Sequence, residues 1–227
     1  MKALIVAAAL ALPAVARAQV GYPPDRSPYR DLEFRQELTP FTGYFWASED
    51  PAKVAPQSGP LVGLRYEVRI GGPAQLFARV AGVFSERTPI DPTLPAAQRQ
   101  LPTQSWPLYL SDLGIALNLT GQKSLHSLVP VLHGGIGIAT DFKGRDPGDY
   151  QFGTSFAFSF GAGLRWVPGG RFQLRADIAD YLYKVEYPPS YSVPTGGNPA
   201  VLDPGQGSSS WQNNAMFTLG ASYLFFR

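Results

Sequence analysis

The chain has no cysteine, and only two histidines and two methionines, in 227 residues. Without cysteine there is neither a disulfide framework nor a lipid-modified cysteine anchor, so membrane attachment, if any, must come from the folded wall itself. Charge is sparse too. Lysine and arginine number 19 against 17 acidic residues, a net +2 scattered along the chain, which argues against a nucleic-acid footprint and so against nucleic acid as a partner. Beyond the N-terminal stretch, no continuous apolar run reaches the ~20 residues that a spanning helix needs. Glycine (24) and proline (22) are plentiful, and they sort. Many glycines fall inside strand-like runs and most prolines fall between them, a division that fits curved strands joined by coil rather than a disordered chain.

Lys2, the apolar stretch from Ala3 to Leu12, Pro13 and the small-residue site Ala16-Arg17-Ala18 together read as a cleavable secretory signal peptide over 1–18. This implies export across the inner membrane of a Gram-negative-type cell, with the mature chain starting at Gln19. Residues 19–37 are polar and proline-bearing without a clear period. They read as a periplasmic N-terminal segment, with a short ordered piece near Leu32 to Phe34.

From residue 38 onward one rhythm repeats: runs of about ten residues, apolar side chains alternating with small or polar ones, the length a tilted membrane strand needs. The last run is the cleanest, with Trp211, Ala215, Phe217, Leu219, Ala221, Tyr223 and Phe225 on one parity and Gln212, Asn214, Thr218, Gly220 and Ser222 on the other. A strand throws successive side chains to opposite faces, so such a run has one oily wall and one polar wall. The runs are Leu38 to Ala47, Pro60 to Ile70, Gln75 to Ser85, Leu108 to Leu119, Leu128 to Thr140, Thr154 to Val167, Arg171 to Tyr183, and a closing strand after Ser210. Short connections (Gly71-Gly72-Pro73, Thr120 to Ser127, Pro168-Gly169-Gly170) alternate with long ones (Ser48 to Gly59, Glu86 to Pro107, Asp141 to Phe152, Lys184 to Ser210). A soluble β-sandwich has no reason to obey that alternation, whereas a membrane barrel does. The expected fold is therefore all-β: an eight-stranded antiparallel up-and-down transmembrane β-barrel over 38–227, with lipid outside and a polar interior.

Aromatic residues support the same topology, because tryptophan and tyrosine favour the water–lipid boundaries. Trp46, Phe84, Tyr109, Phe156, Tyr181, Tyr183 and Trp211 fall near the outer rim. Phe41, Phe77, Trp166, Phe172, Tyr223 and Phe225 fall near the inner one. By parity the interior wall gathers Arg65, Glu67, Arg69, Arg79, Asp112, His133, Arg165, Arg175 and Asp177. An eight-stranded barrel is only just wide enough for its side chains to fill, so these groups are expected to pair into a network that plugs the lumen.

The strand pattern, the signal peptide and the closing run Phe217 to Phe226 resemble the small outer-membrane barrel proteins of the OmpA/OmpX/OmpW type, over about Leu38 to Phe226. The resemblance implies residence in the outer membrane as a monomer, with outer-membrane lipid and the barrel-assembly machinery as partners. In that family the last strand ends in an aromatic residue; here Arg227 follows Phe226. The resemblance further implies a structural or surface-interaction role, in membrane integrity or adhesion, with a porin-like channel for small solutes or apolar compounds as the alternative.

Barrels of this size include lipid-modifying enzymes, which makes catalytic groups worth locating. A serine hydrolase needs a nucleophile, a histidine base and an orienting acid within hydrogen-bond reach. His126 lies in an expected periplasmic turn and His133 faces the lumen among charges, so no enzyme activity and no cofactor are expected. Asp141, Asp146 and Asp149 could approach a calcium ion, yet their spacing matches no recognised calcium loop. The long fourth loop, with Tyr187 and Tyr191, reads as solvated, flexible chain with exposed tyrosines.

Overall fold

The computed structural model describes residues 27–226; the expected signal peptide over 1–18 and the first part of the expected periplasmic segment lie outside the described residues. The elements are β1 (Tyr29–Asp31), β2 (Gln36–Trp46), β3 (Gly59–Gly71), β4 (Ala74–Val83), β5 (Glu86–Arg87), β6 (Gln104–Ser105), β7 (Leu108–Asn118), β8 (Lys123–Leu125), β9 (Leu128–Thr140), β10 (Thr154–Gly169), β11 (Phe172–Glu186) and β12 (Ser209–Phe225). The eight long strands pair antiparallel in the order β9-β10-β11-β12-β2-β3-β4-β7, and β7 pairs back onto β9. The ring is closed. Its first and last strands meet where β12 runs beside β2, so no sheet edge is left within the wall.

Period-two alternation is what drives these segments into a barrel. Outward positions carry large apolar side chains on every strand, including Val62 and Leu64, Leu76 and Val80, Leu113 and Ile115, Leu132 and Ile136, Phe158 and Phe160, Leu174 and Ile178, Phe217 and Leu219. All of these stand exposed; Leu113 is 65% so. A water-soluble domain buries such groups, and a continuous apolar belt of this kind marks a non-aqueous partner. Short turns close one end of the barrel, with glycines at positive φ where the chain reverses (Gly72 at 52°, Gly170 at 72°). The long connections gather at the other end.

The structure departs from the sequence reading at several places. The first barrel strand starts at Gln36 rather than Leu38, because Gln36 and Glu37 pair with Val68 and Glu67 on one side and Phe225 and Leu224 on the other. The ordered piece before it is β1, which pairs with β8 inside the turn over 120–127. Tyr181 and Tyr183, assigned above to the outer girdle, are buried inside the barrel. They share the parity of Arg175 and Asp177, and that alternation prevails over the boundary preference of tyrosine. The fourth loop is built rather than loose: Tyr187 and Tyr191 are buried, Pro189–Tyr191 forms a short 3-10 turn, and the two rings stack 6.5 Å apart. In both cases a tyrosine ring finds apolar neighbours within the protein instead of at the boundary.

The remaining girdle residues Trp46, Phe84, Tyr109, Phe156, Trp166, Phe172, Trp211 and Tyr223 stand exposed on the outside, and Phe225 is half-buried. Phe41 and Phe77, expected in the inner aromatic belt, instead point into the lumen and are buried, because they share the inward parity of Thr39 and of Gln75 and Arg79 on their strands.

Candidate functional site

The barrel interior is the most heavily built polar region of the molecule. Arg65, Glu67, Arg79, Asp112, His133, Arg165, Arg175 and Asp177 are all buried within it, and Glu37 and Tyr181 join them. Four arginines therefore face four carboxylates, a balance that buried charges require.

Three of the charged register pairs in the lumen are repulsive, and only Arg79 opposite Asp112 is attractive. Glu37 lies opposite Glu67, Arg65 opposite Arg79, and Arg165 opposite Arg175, and like charges directly across a ladder destabilise it. The rest of the attraction comes from neighbours two residues apart on one strand and from strands farther around the ring. Arg175 Nη1 donates to Glu67 Oε2 at 2.6 Å and to Glu37 Oε1 at 3.2 Å, while its Nη2 donates to Asp177 Oδ1 at 3.0 Å. Toward the turn end, Arg165 donates to Glu37, to Gln75 Oε1 at 3.1 Å, to Asn118 Oδ1 at 3.2 Å and to Gln173 Oε1 at 3.1 Å. Toward the loop end, Arg79 holds Asp112 through a two-pronged pair at 2.9 and 2.7 Å, and Ser159 and Tyr181 also donate to that carboxylate. Bidentate pairing of this sort fixes orientation as well as charge. Arg65 donates to Glu67 from Nε at 2.7 Å and lies 4.0 Å above the Phe77 ring, so one buried aromatic face carries part of its charge.

Room for this network comes from small residues on the inward face. An added Cβ would come within 2.8 Å of the His133 ring at Gly161 and within 2.2 Å of Asp177 Oδ1 at Gly163. The void enclosed by Thr39, Phe41, Arg65, Arg79, Arg175, Asp177, Thr218 and Gly220 is about 10 Å³. Such a space holds about one water molecule at most.

Two sequence-assigned residues stand apart. Arg69 is at the turn-end rim, half-buried, and donates to the backbone carbonyls of Leu32 and Phe34 instead of to a carboxylate. His133 Nε2 is 3.4 Å from Asp177 Oδ1, and neither ring nitrogen has a hydrogen-bond partner. Ser159 directs its hydroxyl to Asp112 rather than to His133, so these three residues do not form a nucleophile–base–acid chain.

The lumen is not polar throughout. Nearer the loop end the inward positions turn apolar, with Phe45, Leu61, Val83, Leu108, Leu110, Ala139, Tyr183 and Met216 packed into one cluster. That cluster continues into the loops through Val54, Ile90, Tyr150, Tyr187, Tyr191 and Leu202. The loops are pinned by Arg87, wholly buried, which donates to Asp141 and to Asp146 and lies 4.2 Å from the Trp106 ring and 5.0 Å from that of Tyr150. Burial pushes the Tyr150 hydroxyl well above its ordinary range despite the nearby Arg87, so the ring stays neutral in the stack.

Two of the three aspartates considered for calcium thus serve the arginine, and Asp149 faces Arg145 at 3.6 Å. Among the described residues no group of three histidine, cysteine, aspartate or glutamate side chains is placed to hold a metal ion.

Arg87→Leu is expected to loosen this cap without melting the barrel. Exposed loops can relax and admit water, so the effect is modest: cleavage between β5 and β7 by proteinase K should be roughly tenfold faster, the equivalent of about 1.4 kcal/mol. The tryptophan-monitored unfolding of the barrel should move little.

Parity places Asn118 and Gln173 on the inward face without marking them as partners of Arg165, and Glu37, Gln75 and Arg87 are not marked by the sequence reading. Glu37 and Gln173 share the inward parity of their strands, a signal that was present. Arg87 sits in a two-residue strand with no period to read.

No known protein-family profile matches the chain, and no curated protein sequence matches it. Solved structures do. The crystal structure of Neisserial surface protein A superposes with a TM-score of 0.52 at 12% identity, covering 84% of this chain and 97% of that one. The outer membrane protein OprG from Pseudomonas aeruginosa gives 0.52 at 10% identity, covering 86% of this chain and 98% of that one. At such low identity the likeness is one of fold: the chain has the closed eight-stranded architecture of small outer-membrane barrels.

Proposed function

We propose that this chain is an integral outer-membrane barrel with a non-enzymatic, structural and surface-presenting role: a sealed barrel holding a rigid loop platform above the membrane. The observation that carries this reading is the division of every long strand between an exposed apolar outer wall and a filled inner one. In water the outer wall would expose dozens of large apolar side chains; in a bilayer it is matched to its solvent. The inner wall needs no solvent, because its charges meet one another.

The filled lumen speaks against passage of small solutes. An ion crossing it would have to displace Arg175 or Arg79 from two-pronged contacts and then pass the apolar cluster beneath the loops. The ordered cap, by contrast, supports contact with something outside the cell, since a pre-formed surface loses little freedom on binding. Assembly would rest on lipid and on the barrel-assembly machinery, to which β12 offers the aromatic end formed by Tyr223, Phe225 and Phe226.

Because the chain has no cysteine, single cysteines report topology cleanly. In intact cells a membrane-impermeant maleimide is expected to label Val193→Cys, in the fourth loop, and to spare Pro168→Cys, at the turn end of β10, until the outer membrane is opened. Equal labelling of both, or labelling of position 168 alone, would overturn the proposed orientation.

A further inference from the structure

Phe142 is 76% exposed, yet it is not on a strand and so owes nothing to the alternation that places the other outward aromatics. It sits two residues beyond the end of β9 with φ at 51°, a backbone conformation that a bulky side chain adopts only when its surroundings hold it there. The holding groups are visible. Thr140 Oγ1 accepts the Phe142 N–H at 3.3 Å, Asp141 Oδ1 accepts the Lys143 N–H at 3.1 Å, and the other oxygen of Asp141 is gripped by Arg87. Gln151 adds a bond to the Lys143 carbonyl at 3.1 Å. A buried clamp therefore maintains a strained turn whose outcome is one phenyl ring projected outward.

The direction of that ring identifies its partner. Its centroid is 5.4 Å from that of Tyr109, which faces outward from the loop end of β7 and pairs through the backbone with Thr140. Phe84, also outward and exposed, follows Val83, whose partner is Leu108. Phe84, Tyr109 and Phe142 thus share one sector of the barrel, and the last extends the apolar belt upward from strand to loop. A phenyl ring left in water at that place would gain nothing from the strain that puts it there; one immersed at the edge of the acyl chains would.

We propose that Phe142 is a lipid-anchoring side chain of the third loop, inserted at the boundary between acyl chains and headgroups of the outer leaflet. Through Asp141 and Arg87 it ties the loop cap to the membrane surface. The inference rests on the barrel reading above and deepens it by naming the partner of this loop.

The test uses the complete protein refolded into liposomes, carrying a single nitroxide-labelled cysteine at Phe142→Cys, at Tyr109→Cys or at Val193→Cys. Oxygen concentrates in the acyl region and a neutral nickel chelate stays in water, so the ratio of their relaxation effects reports depth. The ratio at 142 is expected to match that at 109 and to exceed that at 193 several-fold. A ratio at 142 equal to that at 193, with 109 immersed, would overturn the anchor alone; a watery 109 would overturn the barrel reading instead. Because the label is itself apolar, Phe142→Trp provides a second reading. Brominated acyl chains should quench its added fluorescence, and no quenching there, with the native tryptophans quenched, would likewise overturn the anchor.

Discussion

Arg175→Met is expected to destabilise the barrel by about 3–5 kcal/mol, the range seen when one partner of a buried ion pair is removed. Arg175 touches Glu37, Glu67 and Asp177 at once. Methionine fills much of its volume but leaves three carboxylates with one fewer cation among them. Arg165 and Arg65 still serve Glu37 and Glu67, whereas Asp177 loses its two-pronged partner and keeps His133 at 3.4 Å, with Arg65 and Arg79 around the same void but engaged elsewhere. The loss should therefore fall hardest on Asp177. Urea unfolding of the protein refolded into lipid vesicles, followed by tryptophan fluorescence, measures it. The double variant Arg175→Met with Asp177→Leu is expected to recover part of the loss, because removing both partners leaves less charge uncompensated. A single-variant loss below about 1 kcal/mol, the scale of a surface pair, would mean that the lumen is wet and the pairing incidental.

A cation on the outer wall should be comparably damaging, and its cost should depend on depth. Leu113 lies midway along β7 and points outward, so Leu113→Arg is expected to cost about 2–4 kcal/mol, while Phe84→Arg at the loop end should cost roughly 0–1 kcal/mol for the inserted charge. The same unfolding assay distinguishes them. Equal costs at the two sites would remove the hydrocarbon layer from the explanation, since only a bilayer makes position along the axis matter.

Most of the barrel was legible because its period is two and its environment has two sides. Strand limits such as Leu128–Thr140 and the short turns at Gly72 and Gly170 follow from local residue types alone. Glu37 escapes a reading that starts the strand two residues late, at a place where Pro40 obscures the alternation. Tyr181 and Tyr183 show two local rules in conflict: parity sent them inward, boundary preference sent them outward, and parity prevailed. Which inward charges touch is readable only in part: Arg65 with Glu67 and Arg175 with Asp177 stand two apart on one inward face, but the contacts across the lumen are not. Apart from Arg79 opposite Asp112, the register sets like beside like, and the compensating contacts, Arg165 with Glu37 and Arg175 with Glu67, join strands that are not neighbours in the ring. The loop cap was hidden for a related reason. Arg87 meets Asp141 and Asp146 only after the barrel has brought the second and third loops together.

The sealed interior is tested most directly by ion conductance of the purified, refolded full chain in a planar bilayer. Membranes that contain folded protein, shown by its heat-dependent shift on gels, are expected to stay silent across a wide range of voltage. Steady unitary currents altered by Arg175→Met or Asp112→Asn would show an open aqueous path through the centre and would contradict the filled lumen.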